Sequence, residues 1–158
     1  MNQLTQSLNH TWESLNSGWH HLTQRASEAL TRFHPAKDAR SQDKMPSNVS
    51  HWGLMSADVF DDNDKVIVKL EAPGMSKDDF DIRVDDNVLY IKGEKHFEHE
   101  ETKGHYQILE RAYGHFQRAI PLGYEVDADQ ARATYKKGVL TLTLNKLPHQ
   151  RRRQITVN

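Results

Sequence analysis

The chain of 158 residues contains no cysteine. Disulfide staples, thiolate catalysis and cysteine-ligated metals are therefore excluded. Excess charge is missing too: 21 basic and 22 acidic residues leave a net charge of −1 with histidine neutral. A balance this near zero gives no global attraction to nucleic acid or anionic lipid, and no repulsion against self-association. No apolar run approaches the roughly 18 residues needed to span a bilayer. The opening MNQLTQSLNHTWESL lacks both a basic stretch and a continuous apolar one, so no secretory leader is expected and a cytoplasmic protein is. Hydrophobic residues are sparse, at 36%, and mean hydropathy is −0.83. A core that thin implies that part of the chain lies outside it.

What is present divides into four segments. In residues 1–33 apolar side chains fall at Leu4, Leu8, Trp12, Leu15, Trp19, Leu22, Ala26, Leu30 and Phe33. Steps of four and three mark one face of a helix. The residues between are mostly Asn, Ser, Thr and His, weak helix formers, together with Gln, and Gly18 interrupts the run. Such a helix draws its stability from burying its stripe. Two destinations are open: the chain's own domain, or other copies and unfolding polypeptides, for which the segment would be an interaction arm. The polar face carries too few Lys and Arg for a membrane-surface helix. Residues 34–51 are polar, aperiodic and hold two prolines, a linker composition.

Residues 52–146 change character. Met55–Phe60, Lys65–Glu71, Phe80–Val84, Val88–Gly93, Ala131–Tyr135 and Val139–Leu144 read as short strands, most of them alternating, and His105–Ala119 reads as two more around Gly114. Asp61–Asp64, Asp85–Asn87 and Lys136–Gly138 are turns, and Leu122–Gln130 is a loop. No helical period long enough for a parallel crossover appears, so the expected fold is all-β, an immunoglobulin-like antiparallel sandwich of about 95 residues. Lys95–Gly104 is a long charged excursion.

In residues 147–158 a polar stretch ends with Ile155 and Val157, two apart. That spacing puts both on one face of an extended segment that could add to an exposed sheet edge.

Four motifs in this order resemble a bacterial small heat shock protein of the α-crystallin family. They are Leu70-Glu71-Ala72-Pro73-Gly74, the run Glu110–Arg118 of form E-R-x-x-G-x-F-x-R, Gly138-Val139-Leu140-Thr141-Leu142-Thr143-Leu144, and Ile155-Thr156-Val157. One departure is Asn145, where the family usually has proline, and a longer last strand is its expected consequence. The resemblance implies an ATP-independent holdase chaperone without cofactor or metal, and the chain indeed has no phosphate loop. It implies dimers in which Tyr106-Gln107-Ile108 pairs with the partner's Met55–Asp61 edge. It implies a tail anchor, Ile155 and Val157, docking in another subunit's groove lined by Ile82, Val84, Ala131 and Ala133. Leu4, Leu8, Trp12, Leu15, Trp19 and Leu22 would meet unfolded clients, and a paralogue could join the oligomer.

Other readings carry less. His96, His99 and His105 beside Glu98, Glu100 and Glu101 contain metal-ligand types, yet their spacing fits no fixed motif. Arg151–Arg153 without interleaved aromatics reads as a solubilising tail. No G-x-S-x-G or H-E-x-x-H occurs, so no enzyme is expected. The rival is an Ig-like co-chaperone or binding module that does not self-assemble.

Overall fold

The computed structural model describes residues 28–35, 50–98, 104–151, 153 and 155–157. Leu4, Leu8, Trp12, Leu15, Trp19, Leu22 and His99 lie outside them.

Alternation decides which side chains go inside. In β4 (Lys65–Glu71) Val66, Val68 and Leu70 are fully buried, and they pair across to Leu144, Leu142 and Leu140 of β9 (Val139–Lys146). With β3 (Ala57–Asp61) and β8 (Val126–Lys136) these strands form a four-stranded sheet in the order β3-β4-β9-β8. The opposing three-stranded sheet runs β5 (Phe80–Asp85), β6 (Val88–Lys95), β7 (Gly114–Pro121). It sends Leu89, Ile91, Phe116 and Ile120 into the same core. Every ladder is antiparallel, and the two sheets make the sandwich that alternation predicts. The β8–β9 hairpin closes through Lys137 and Gly138, both at positive φ, a two-residue turn whose twist suits the strands.

Some expectations shift. The helical stripe of 1–33 does not reach its last two positions. Glu28 and Ala29 are helical, and Leu30–Arg32 is strand β1, paired with β2 (Trp52–Leu54). Spacing alone permitted a helix at Leu30 and Phe33. Burial of Thr31 and Phe33, two apart, is what the strand achieves. Beyond β1, His34 exchanges both backbone hydrogen bonds with His115 and so covers the start of the β7 edge. The expected pair of strands around Gly114 is one: β7 begins at Gly114, and His105–Tyr113 contributes only an isolated bridge at Ala112. Leu122–Gln130 is loop only to Glu125, because β8 starts at Val126 and continues through an irregularity between Asp127 and Arg132. Asn145 sits inside β9, paired with Lys65 and Asp127, and the strand runs on to Lys146.

Continuing the inward series Leu140, Leu142, Leu144 brings Lys146 to a fully buried position. Its ammonium meets Asp61 at 2.5 Å and lies 3.7 Å from the centre of the Tyr124 ring. The pair ties the end of β9 to the end of β3, beside the root of the tail.

Candidate functional site

A sandwich of two open sheets has four edges, and each exposes backbone donors and acceptors. His34 covers part of the β7 edge. Among the described residues the edges of β3, β5 and β8 carry no further strand.

The β5 and β8 edges face one another. Phe80 of β5 and Tyr135 of β8 meet with ring centres 5.2 Å apart, and the Tyr135 hydroxyl donates to the Ala72 carbonyl at 2.8 Å. Ile82 and Val84 follow Phe80 on the inward face, half-buried against the core. Ala133 pairs with buried Leu142, which sets it on the inward face of β8, yet it remains exposed. Phe80, Ile82 and Val84 on β5 and Ala133 and Tyr135 on β8 border the cleft expected to receive the anchor. Ala131 lies within the β8 irregularity between Asp127 and Arg132, where alternation no longer fixes its face. It lines a polar hollow with Lys65, Gln130, Arg132, Thr143 and Asn145.

The tail leaves this region pinned at its root. Leu147 N–H donates to the Glu125 carbonyl, His149 contacts the Glu125 carboxylate at 2.9 Å, and Arg151 Nε donates to the Lys146 carbonyl at 3.0 Å. Beyond, Ile155 and Val157 are 87% and 92% exposed. Within one chain the anchor and the cleft do not meet.

The β3 edge has the other apolar surface. Val59 and Phe60 are exposed, and with Leu54, Ile67 and Ala29 they border a groove that also receives Arg118. Arg118 closes the E-R-x-x-G-x-F-x-R run with no expected role, and its signal is a cation in register with inward-facing Phe116 and Ile120. Burial pushes its guanidinium below the ordinary range, and Glu28 partly offsets this. One guanidinium N–H donates to the Glu28 carbonyl, while Nε is buried with no hydrogen-bond partner among the described residues.

Tyr106 and Ile108 are exposed and form no strand within the chain. The Tyr106 ring rests 5.9 Å from Phe97, which packs edge-on against Tyr113 at 5.0 Å. Arg111 and Lys95 lie over Tyr113, and burial followed by Arg111 repulsion lowers the Lys95 pKa. This aromatic series anchors the base of the excursion. His96 turns to Asp79 and Glu94, and not to His105. Among the described residues no three metal-ligating side chains gather.

The profile of the Hsp20/alpha crystallin family matches residues 58–158. The chain is 41% identical over 86 residues to the 22.7 kDa class IV heat shock protein of Pisum sativum, covering 54% of this chain and 44% of that protein. It is 37% identical over 90 residues to small heat shock protein C2 of Rickettsia felis, covering 57% and 58% respectively. The chain thus spans about half the length of these curated relatives. Its fold superposes on heat shock protein 16.0 from Schizosaccharomyces pombe with a TM-score of 0.56 and 36% identity, over 66% of this chain and 97% of that one.

Proposed function

Because this chain belongs to the Hsp20/alpha crystallin family, we propose that it is an ATP-independent holdase: it binds unfolding proteins, prevents their aggregation and assembles into oligomers from strand-exchanged dimers. The observation that carries this reading is that one chain holds both open sheet edges and exposed apolar segments. The β3 edge, with exposed Val59 and Phe60, suits the exposed Tyr106–Ile108 segment of a second copy. Such a strand would also bring backbone carbonyls to the groove where Arg118 Nε has no hydrogen-bond partner among the described residues. The β5/β8 cleft, bordered by Ile82 and Val84, suits Ile155 and Val157 of another subunit.

Burying one Ile and one Val contributes about 3–6 kcal/mol before ordering costs. Fixing a free tail removes much of that. Each contact is then reversible, and the assembly holds by avidity among many. Subunits that loosen on warming would release apolar segments, including the Leu4–Leu22 stripe, to cover the surface that unfolding clients display. No described helix is long and apolar enough to cross a membrane, and the proposed site of action is the cytoplasm.

Light scattering of a heat-labile client protein, with and without the chain and in the absence of nucleotide, tests the reading. Suppressed scattering at near-stoichiometric ratios is expected. Unchanged client aggregation, or suppression only when ATP is added, would overturn it. Elution as a monomer near 18.3 kDa would favour a binding module that does not self-assemble.

A further inference from the structure

The β1 segment sits in the sandwich the way a bound peptide sits in a receptor. Phe33 is 2% exposed and joins Met55, Ala72, Ala112 and Phe116 in the core. Its ring lies 5.3 Å from the Phe116 ring. Gly53 makes the space: a Cβ there would stand 3.0 Å from Phe33 Cε2 and 3.2 Å from Ala112 Cβ. The remaining contacts are largely main-chain. Phe33 N–H donates to the His51 carbonyl at 2.7 Å, His34 N–H to the His115 carbonyl at 2.7 Å, and His115 N–H to the His34 carbonyl at 2.8 Å. Gly114, at φ +106°, admits this approach, since a Cβ there would fall 2.0 Å from the His34 oxygen. Leu30, Arg32 and His34 are exposed and specify little.

Backbone pairing plus one buried aromatic is a recognition mode that reads shape more than sequence. The seat is also larger than its occupant. A hollow of about 170 Å³ remains beside Phe33, bordered by Met55, Met75, Ala72 and Ala112. Methionines at such a wall adapt to occupants of different outline. The occupant's backbone is held by a ribbon of three residue pairs to β2 and one bridge to β7, and its side-chain hold is concentrated in Phe33.

We propose that this slot is a client site: an extended, aromatic-bearing segment of an unfolding protein replaces Thr31–His34, and the chain's own Phe33 is its intrachain stopper. The proposal rests on the holdase reading and gives it a location in the sandwich, apart from the arm. A tethered competitor acts at an effective concentration on the order of millimolar. The slot therefore stays closed to dilute folded proteins and opens to unfolded chains that present many aromatic segments at once. Tryptophan, larger than phenylalanine, would extend into the residual hollow, whose wall also carries Lys95, Glu110 and Arg111.

The test uses the full chain and a fluorescent peptide copying Ala29–Pro35, with versions carrying Trp or Ala in place of the phenylalanine. By anisotropy, the Phe peptide is expected to bind Phe33→Ala at least tenfold more tightly than it binds the unsubstituted chain. The Trp peptide should bind at least as tightly as the Phe peptide, and the Ala peptide at least tenfold more weakly. Phe33→Leu, which keeps a smaller plug and guards against a folding defect, should fall between Phe33→Ala and the unsubstituted chain. Adding Gly53→Val to Phe33→Ala fills the slot and should abolish binding. Equal affinity for plugged and unplugged chains, equal affinity for the Phe and Ala peptides, or binding that survives Gly53→Val would each overturn the proposal. Aggregation suppression measured on the same samples separates the two claims. Phe33→Ala that suppresses aggregation but ignores the peptide sinks the slot and leaves the holdase reading standing. A chain that takes the peptide but protects no client sinks the holdase reading and leaves the slot as a peptide site.

Discussion

Replacing Asp61 by asparagine would leave the Lys146 ammonium inside the sandwich with its charge uncompensated. The Lys146 side chain has no solvent exposure, whereas Asp61 is 38% exposed. Carboxylate and ammonium are 2.5 Å apart, and the Tyr124 hydroxyl donates to the second carboxylate oxygen at 2.9 Å. Removing one member of a fully buried pair costs about 3–5 kcal/mol. Water at Asp61 screens part of that. The Tyr124 ring, 3.7 Å from the ammonium, still attracts the cation by about 0.5–2 kcal/mol. The expected loss for Asp61→Asn is therefore about 2–3 kcal/mol, or roughly 10–20 °C in Tm for a domain of this size. Lys146→Met keeps most of the stem and removes the charge, so its cost should stay below about 1 kcal/mol, and it should rescue much of the Asp61→Asn loss when combined. Urea unfolding followed by tryptophan fluorescence, at one fixed protein concentration because assembly adds to apparent stability, reads these values. If Asp61→Asn costs less than about 0.5 kcal/mol, or Lys146→Met costs more than Asp61→Asn, the reasoning that an unpaired buried charge dominates here is refuted.

Two further outcomes follow from the same geometry. Deleting residues 1–27 should leave a cooperatively folded sandwich, whereas deleting 1–33 also removes Phe33 and should cost about 3–5 kcal/mol, as large core truncations do; equal urea midpoints for the two truncations would contradict the burial of Phe33. Lys95 has a lowered pKa from burial and from Arg111, so the folded state releases this proton at lower pH than the unfolded chain, and stability should rise with pH between the folded value and the ordinary 10.5. Lys95→Met should remove that slope, which paired denaturation series in the alkaline range would detect; parallel slopes for the two proteins would count against it.

How far the residues alone reached depends on what kind of signal each element carried. Alternation in Lys65–Glu71 and Val139–Leu144 was strong because one face of each strand is wholly internal, and both strands appear where the pattern puts them. Val126–Lys136 was half-missed, since acidic and polar residues at its irregular start conceal the period. Leu30 and Phe33 fitted a helical stripe equally well, and only the tertiary vacancy beside Phe116 and Gly53 turns that segment into a strand. The inward face of Ile82 and Val84 is readable from strand period, and Ile155 and Val157 stand out as apolar residues isolated in a polar tail. Arg118 was hidden because nothing local tells an inward-facing cation from a solvated one, and Lys146 because its partner Asp61 is far off in the sequence.

The central claim is that open edges and a free anchor of the same chain complete one another between copies. Native mass spectrometry of the full chain beside Ile155→Ala/Val157→Ala tests it most directly. The account predicts oligomers for the unsubstituted chain and dimers or small species for the double variant, with the sandwich still folded by circular dichroism. Full-size assemblies in the double variant, or a monomeric unsubstituted chain, would contradict it.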